Sequence, residues 1–388
     1  MMKSKAGSAA QRKAVRPAKA RGSSPAEKDE ISSLRARIDE IDTSLLKLLN
    51  ERARVAMAIG KAKAHRNLDF HSPARERQIY ERLCSINPGP FPSEAIRSVF
   101  REILSASLSL EKPLKISFPG PWGTFTHLAC LEHFGQAGQL VPERTLRDVL
   151  EAVERQRVNY GIIPIENSTE GLIAHALDLF FDFDVRISAE IFLEITLDLL
   201  SSSSTLHDIR RVYSHPQALA QCRSWLQNHL PGAELVEVES TAKAAEIASS
   251  EAHSAAVASP LAAKLHDLTV LERSIQDGPF QYTRFLVLGT RDADRTGRDK
   301  TSLVFYTRDR VGALHAALRP FVDHKVNVTR IESRSHRKRP WESVFFLDIR
   351  GHRTDPNVRK AMAALGAVCS EVKLLGSYPE GRGPSGAR

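Results

Sequence analysis

Between Glu27 and Ala64 the apolar residues Ile31, Leu34, Ile38, Ile41, Leu45, Leu48, Val55 and Ile59 recur at helical spacing. No glycine or proline intervenes before Gly60. This pattern predicts one helix of ~35 residues or more. A helix that long cannot bury its stripe in a private core, so it predicts pairing with another chain. After the polar break Arg66–His71, Ser72-Pro73 supplies an N-cap and a first-turn proline for a second helix to about Ser85. Asn87-Pro88-Gly89-Pro90-Phe91-Pro92 is a connector, and Ser93 caps a third helix reaching Glu111. Residues 27–112 therefore read as an all-α, three-helix module.

Pro113 marks a change of pattern. Strand-like runs (115–118, 159–163, 212–214, 235–238, 255–258, 284–288) alternate with helical ones (146–155, 218–229, 241–250). The alternation predicts an α/β domain over 113–290, with mostly parallel sheet and room for two lobes around a cleft. Residues 291–300 read as a charged linker. Residues 301–378 follow the order strand, helix, strand, strand, helix, strand of a ferredoxin-like unit, and 379–388 as a tail.

The net charge of +9 invites a nucleic-acid reading, which its distribution removes. Residues 1–26 hold seven Lys and Arg and no acid, so the remaining 362 residues carry only +2. The basic stretch reads as a disordered tail. No apolar run is long enough for a membrane span, and the Met-Met-Lys start leads into no signal-like segment. Cys84, Cys130, Cys222 and Cys369 form no CxxC pair, which fits a reducing cytoplasm.

Several polar residues stand out. Arg52 and Lys63 lie eleven residues apart on the long helix, on one face and roughly 16 Å from each other, so both can reach one small anion. Arg35 lies roughly 25 Å from Arg52 and about 100° round the helix, and can serve only a ligand held by an antiparallel partner. For any one of these, a solvated charged face is the plainer reading. Leu34-Arg35-Ala36-Arg37-Ile38-Asp39, Asn50-Glu51-Arg52, Gly60-Lys61-Ala62-Lys63 and Pro73-Ala74-Arg75-Glu76-Arg77 together resemble the all-helical class of chorismate mutase. The resemblance implies a dimer in which Arg52, Lys63 and Arg75 surround chorismate with Ser72, Glu76, Ser107 and Glu111, and Arg35 comes from the other subunit. Ser72 stands where some members have Asp, and Glu111 where some have Gln. The rearrangement needs a clamped dianion and donors at its ether oxygen, the part implied for Lys63 and a protonated Glu111.

In the α/β segment, the turn Phe118-Pro119-Gly120-Pro121-Trp122-Gly123-Thr124-Phe125-Thr126 follows a strand and opens a helix. Backbone N–H groups there suit a carboxylate, although an ordinary tight turn is the plainer reading. Ile163-Pro164-Ile165-Glu166-Asn167-Ser168-Thr169-Glu170-Gly171 ends a strand in a dense polar loop. Tyr213-Ser214-His215-Pro216-Gln217 is a second strand-to-helix turn, where His215 also reads as a simple helix cap. Gln281-Tyr282-Thr283-Arg284-Phe285 sets a hydroxyl beside a guanidinium. In this order the four resemble prephenate dehydratase, with its two-lobed, periplasmic-binding-protein-like fold. The resemblance implies an acid role for Thr283, with Glu166 and Asn167 nearby and Thr124, Ser168, Ser214, His215 and Arg284 on prephenate. Either Thr283, as a placed donor, or a buried Glu166 fits the proton source.

Asp309-Arg310-Val311-Gly312-Ala313-Leu314-His315 and Ile331-Glu332-Ser333-Arg334 look like the Gly-Ala-Leu and Glu-Ser-Arg-Pro motifs of the ACT-type phenylalanine-sensing domain, with Ser335 in place of the proline. The resemblance implies L-phenylalanine as effector at Gly312, Ala313, Leu314, Glu332, Ser333 and Arg334. The domain order is that of bifunctional chorismate mutase/prephenate dehydratases, which need no cofactor or metal. The alternatives are a monofunctional prephenate or arogenate dehydratase whose helical module only dimerises, and an amino-acid-sensing regulator.

Overall fold

A computed structural model describes residues 25–65, 71–111, 113–169, 171–278, 281–308, 310–335, 342–381 and 383. The expected basic tail, apart from Pro25 and Ala26, and most of the C-terminal tail lie outside them. The chain divides into two compact units, one ending at Arg54 and one running from Val55 to the C-terminus. Helix α1 (Pro25–His65) supplies the first unit and the opening of the second. In the first unit Ile31, Leu34, Ile38, Ile41, Leu45 and Leu48 are between 47% and 62% exposed, as a stripe without a private core would be.

In the second unit, α2 (Pro73–Ser85) begins where expected. Ser72 Oγ accepts from the backbone N–H of Arg75 at 3.3 Å, and Pro73 fills the first turn. Helix α3 (Ser93–Glu111) follows and docks against the next domain. Ser105 Oγ accepts from the N–H of Ala137 (3.2 Å), and Arg101 pairs with Glu132 (2.8 Å). Gly135 sits at φ +71, where an added Cβ would meet Ser105 Cβ at 2.6 Å, so only glycine permits this approach.

The α/β domain contains, in order, β1 (Lys115–Pro119), α4 (Phe125–Phe134), β2 (Gln139–Glu143), α5 (Leu146–Glu154), β3 (Tyr160–Asn167), β4 (Gly171–Leu172), α6 (Ala174–Asp182) and β5 (Arg186–Glu194). Then come β6 (Asp198–Ser201), β7 (Arg211–Ser214), α7 (Pro216–Gln221), α8 (Arg223–His229), β8 (Glu234–Glu237), α9 (Thr241–Ser250), β9 (Ser254–Ala258), α10 (Pro260–Leu265), β10 (Thr269–Glu272) and β11 (Tyr282–Gly289). One lobe holds the sheet β2-β1-β3-β11-β5, with β4 on β3, and the other holds β10-β6-β9-β7-β8. Both sheets are mixed, which corrects the expectation of mostly parallel pairing. The chain enters the second lobe after β5 and returns as β11, so β5, β6, β10 and β11 run antiparallel to a neighbour. The single helix expected over 218–229 breaks at buried Cys222.

The last domain is β12 (Asp299–Arg308), α11 (Ala313–Asp323), β13 (Val328–Ser335), β14 (Glu342–Arg350), α12 (Pro356–Val368) and β15 (Glu371–Pro379), with sheet order β13-β14-β12-β15. This is the expected ferredoxin-like unit. One sheet face packs on its helices through Leu303, Phe305, Phe321 and Leu365. The other face shares a core with the α/β domain, where Val304, Tyr306, Phe346 and Tyr378 meet Phe180, Ile187, Leu286 and Leu288. The 291–300 segment is fastened to the last domain, with Asp292 pairing with Arg353 at 2.8 Å and Arg295 with Asp355 at 2.5 Å.

Inside that shared core lies a balanced set of charges. Arg284 donates to Glu190 (2.8 Å), Asp348 (2.9 Å) and the Tyr378 hydroxyl (3.2 Å), and Lys300 donates to Glu190 (2.7 Å). Ser302 donates to Asp348 at 2.5 Å. Burial alone would lower the Arg284 pKa, but Asp348, Tyr378 and Glu190 outweigh it and hold it well above the ordinary value. Asp348, conversely, is kept below the ordinary range by Arg284 and Lys300 against the effect of its own burial. Removing one partner leaves a buried guanidinium short of an anion. Asp348→Ala is expected to cost about 3–5 kcal/mol, measured as loss of stability in urea or a lowered Tm.

The junction of α2 and α3 with α4 is polar too. His71 Nε2 lies 3.2 Å from Glu76, its Nδ1 lies 3.0 Å from the Tyr160 hydroxyl, and His133 lines the same small cavity. Burial pushes His133 down to about 4; the nearby Glu76 works against this, while His71 and Arg101 add to it. The unfolded imidazole, near 6.5, takes up its proton first. The stability His133 contributes is therefore present above about 6.5 and lost as pH falls toward 4. Between pH 7 and 4 the wild type is expected to lose on the order of 2 kcal/mol that His133→Gln retains, read from Tm against pH.

Candidate active sites

In the α/β domain the expected turns gather at strand ends. Strands β1 and β3 run parallel, as do β7 and β9, so the 120–126, 167–171, 214–217 and 259–260 segments all follow C-terminal ends. Ligands of open α/β sheets bind at such ends. Strand β11 returns antiparallel to β3, bringing its first residues to the same edge, where Thr283 faces Asn167 in register. Asn167 Nδ2 donates to Thr283 Oγ1 at 3.4 Å, and its Oδ1 accepts from the N–H of Thr169 at 2.8 Å. The amide is thus oriented, and the Thr283 O–H remains able to donate.

Glu166 and Arg284 turn away from this pair. Arg284 is opposite Glu166 and Phe285 opposite Pro164, so Ile165 is an extra residue, a β-bulge. The bulge places Ile165 and Glu166 on one face, with Arg284, Leu286 and Leu288, toward the last domain. Thr283 shares the other face with Phe285 and Val287, which pack on Phe118 and Ile162. The structure therefore brings Asn167 and Thr283 together, sets Glu166 behind them, and commits Arg284 to the buried charge set.

Ser168 is joined to the same edge, its hydroxyl accepting from the Tyr282 N–H at 3.0 Å. Thr124 caps α4 by accepting from the His127 N–H at 3.3 Å. His215 caps α7, accepting from Gln217 N–H at 3.3 Å, and buried Ser214 donates to the Val257 carbonyl at 2.6 Å. Two residues were missed. His127 stacks on Phe118 with ring centroids 5.3 Å apart, and its Nδ1 accepts from Gly123 N–H at 3.1 Å, with burial lowering its pKa. Ser259 donates to the Gly123 carbonyl at 2.8 Å, fastening the second lobe to the first. The pattern Ser259-Pro260 after a strand carries the same cap signal as Ser72-Pro73 and could have revealed Ser259. His127 has no comparable signal.

In the helical module, an added Cβ on Gly60 would lie 2.9 Å from both Cγ and Oε2 of Glu111. Lys63, three residues later, shares that helix face and lines a broad groove with Ser72, Tyr160, Arg291 and Asp294. Ser72 donates to Asp294 at 3.2 Å. Ser107, one turn before Glu111, is buried and donates to the Ile103 carbonyl at 2.6 Å. Arg75 is exposed and donates to Gln78 at 3.2 Å, while Glu76 turns to His71 in the smaller cavity. In the first unit, Arg35 is exposed and Arg52 half-buried on α1.

In the last domain, Gly312 adopts φ +77 and caps α11, which begins at Ala313 and carries Leu314 half-exposed. On β13, Arg330, Glu332 and Arg334 stand opposite Asp348, Phe346 and Val344, on the face toward the α/β domain. Ile331 and Ser333 take the other face. Arg330 pairs with Glu166, and Arg334 lies 3.7 Å from Asp178. Among the described residues no cluster of His, Cys, Asp and Glu is arranged to hold a metal, and no helix is long and apolar enough to cross a membrane.

Comparison with known proteins covers each part. Family models match at residues 34–112 (chorismate mutase type II), 116–293 (prephenate dehydratase) and 301–367 (ACT domain). A bifunctional chorismate mutase/prephenate dehydratase of Aquifex aeolicus is 48% identical, over 91% of this chain and 98% of its own. One from Pseudomonas aeruginosa is 42% identical, over 92% and 99%. A prephenate dehydratase from Arthrobacter aurescens, solved in complex with L-Phe, superposes with a TM-score of 0.64 at 36% identity, covering 69% of this chain and 90% of that one.

Proposed function

Since the chain belongs to the bifunctional chorismate mutase/prephenate dehydratase family, we propose which of its side chains carry each reaction and how the third domain governs them. The helical module rearranges chorismate to prephenate, and the α/β domain converts prephenate to phenylpyruvate.

The dehydratase step takes up one proton and releases water and carbon dioxide as the ring becomes aromatic. Thr283 is the donor to the departing hydroxyl, and Asn167 orients it. The in-register Thr283–Asn167 hydrogen bond at the strand edge is the observation that carries this reading. The ion pairs of Glu166 with Arg330 and Arg284, on the opposite face, favour Thr283 over Glu166 as the proton source. Thr124, Ser168, Ser214 and His215, on turns at the same strand ends, hold the substrate carboxylates.

In the mutase step no residue needs to form a covalent bond. Lys63 and Glu111 donate to the ether oxygen, a reading supported by the Glu111 side chain packing against Gly60, three residues before Lys63 on the same helix. Arg52 and Arg75 clamp the carboxylates, with Ser72 and Ser107 beside them. A second copy of the chain covers the α1 stripe and contributes its Arg35, which makes the enzyme at least a homodimer. L-Phenylalanine binds the last domain at Gly312–Leu314 and the β13 motif and lowers dehydratase activity.

With purified full-length protein, chorismate should yield phenylpyruvate. Thr283→Ala should lower dehydratase kcat by roughly 10²–10⁴-fold, leave chorismate consumption unchanged, and accumulate prephenate. Equal loss of both activities with an unaltered Tm would sink the assignment. For the mutase, Glu111→Gln, a permanent donor of similar shape, should retain most of kcat/KM, whereas Glu111→Ala should lower it roughly 10²–10³-fold, and an unaltered rate in Glu111→Ala would remove Glu111 from the site.

A further inference from the structure

Strand β13 of the regulatory domain grips the dehydratase segment that begins at Glu166 and ends in α6. Arg330 pairs with Glu166 at its start, and Arg334 lies 3.7 Å from Asp178 near its end. From β15, Lys373 Nζ donates to the carbonyls of Phe180 (2.8 Å) and Phe183 (2.9 Å), where α6 finishes. Between these fixed points lies the loop that carries Asn167. Glu166 and Asn167 are adjacent and point to opposite faces, so a pull on the Glu166 carboxylate turns the peptide that aims the Asn167 amide at Thr283. The bulge at Ile165 lets this residue pair rotate, since its extra residue is outside the regular ladder. Among the described residues, two guanidinia reach Glu166. Arg284, at 3.9 Å, is immobilised by Glu190 and Asp348. Arg330 sits on the edge strand of another domain, with its side chain 31% exposed and only Glu166 as a charged partner among the described residues.

We propose that Arg330 is a positioning residue for the dehydratase reaction: through Glu166 it sets the Asn167–Thr283 pair, and it is the contact by which a shift of β13 reaches that pair. The second half rests on the phenylalanine-sensing reading of the domain. The first half does not. Arg330 lies two residues before Glu332 of the proposed effector site on the same strand, so any effector that repacks this strand displaces Arg330 directly.

The test uses full-length Arg330→Gln, Arg330→Lys and Glu166→Gln, with mutase rate and Tm as controls for folding. Arg330→Gln should lower dehydratase kcat roughly tenfold, with KM and mutase rate little changed. Arg330→Lys should recover part of the loss, and Glu166→Gln combined with Arg330→Gln should be no worse than either alone. Calorimetry should show phenylalanine still bound by Arg330→Gln, while its maximal inhibition of the dehydratase is reduced. Unchanged kcat together with full inhibition would overturn the proposal. A raised KM at unchanged kcat would also overturn it, by making Arg330 a substrate ligand, as would additive losses in the double variant. If the wild type neither binds nor responds to phenylalanine, the sensing reading fails, and the kcat loss in Arg330→Gln still decides the positioning claim.

Discussion

The four charges around Arg284 set the terms for much of this molecule. Two cations and two anions are removed from water together, and each neutralises the next. Burying any one alone costs several kcal/mol, so all four must arrive in register. Arg284 and Glu190 belong to adjacent strands of the α/β domain, Lys300 and Asp348 to the regulatory sheet. The network thereby fixes how those two sheets stack, and the apolar core of Phe180, Leu286, Phe346 and Tyr378 fills in around that fixed point.

Strand β11 serves both sides of this arrangement. Its odd-numbered residues, Thr283, Phe285 and Val287, line the dehydratase face. Its even-numbered ones, Arg284, Leu286 and Leu288, line the regulatory face. The residue next to the proposed proton donor is therefore the one tied most firmly into the neighbouring domain. A strand only one residue thick separates the chemistry from the part of the protein that senses the product's descendants, and the bulge in β3 brings Glu166 across to the sensing side.

Much of this was legible in the chain itself. The α1 periodicity, the Ser72-Pro73 cap, the polar loops at strand ends and the ferredoxin-like order are local signals, and local physics sets each of them. The site motifs were legible because turns at strand ends carry distinctive residues. The charge network was not, since Arg284 finds Asp348 and Glu190 at separations of 64 and 94 residues. The bulge at Ile165 was equally hidden, and without it simple alternation puts Glu166 on the face of Thr283. Antiparallel β11 was read as part of a mostly parallel sheet because periodicity gives a strand's existence but not its direction, and its partner β5 was not read as a strand at all.

The shared core also separates two kinds of boundary. The family match to prephenate dehydratase stops at residue 293 and the ACT match begins at 301, yet hydrophobic contacts and buried charges run straight across that gap. Segments joined this way melt as one cooperative block, and a cut at 291–300 strands Arg284 and Glu190 in a newly exposed apolar face. Evolutionary modularity and mechanical independence thus part company in this chain. An enzyme released from feedback is reached by changing single side chains along β13, where the domains touch through half-buried ion pairs, and not by deleting the domain that does the sensing.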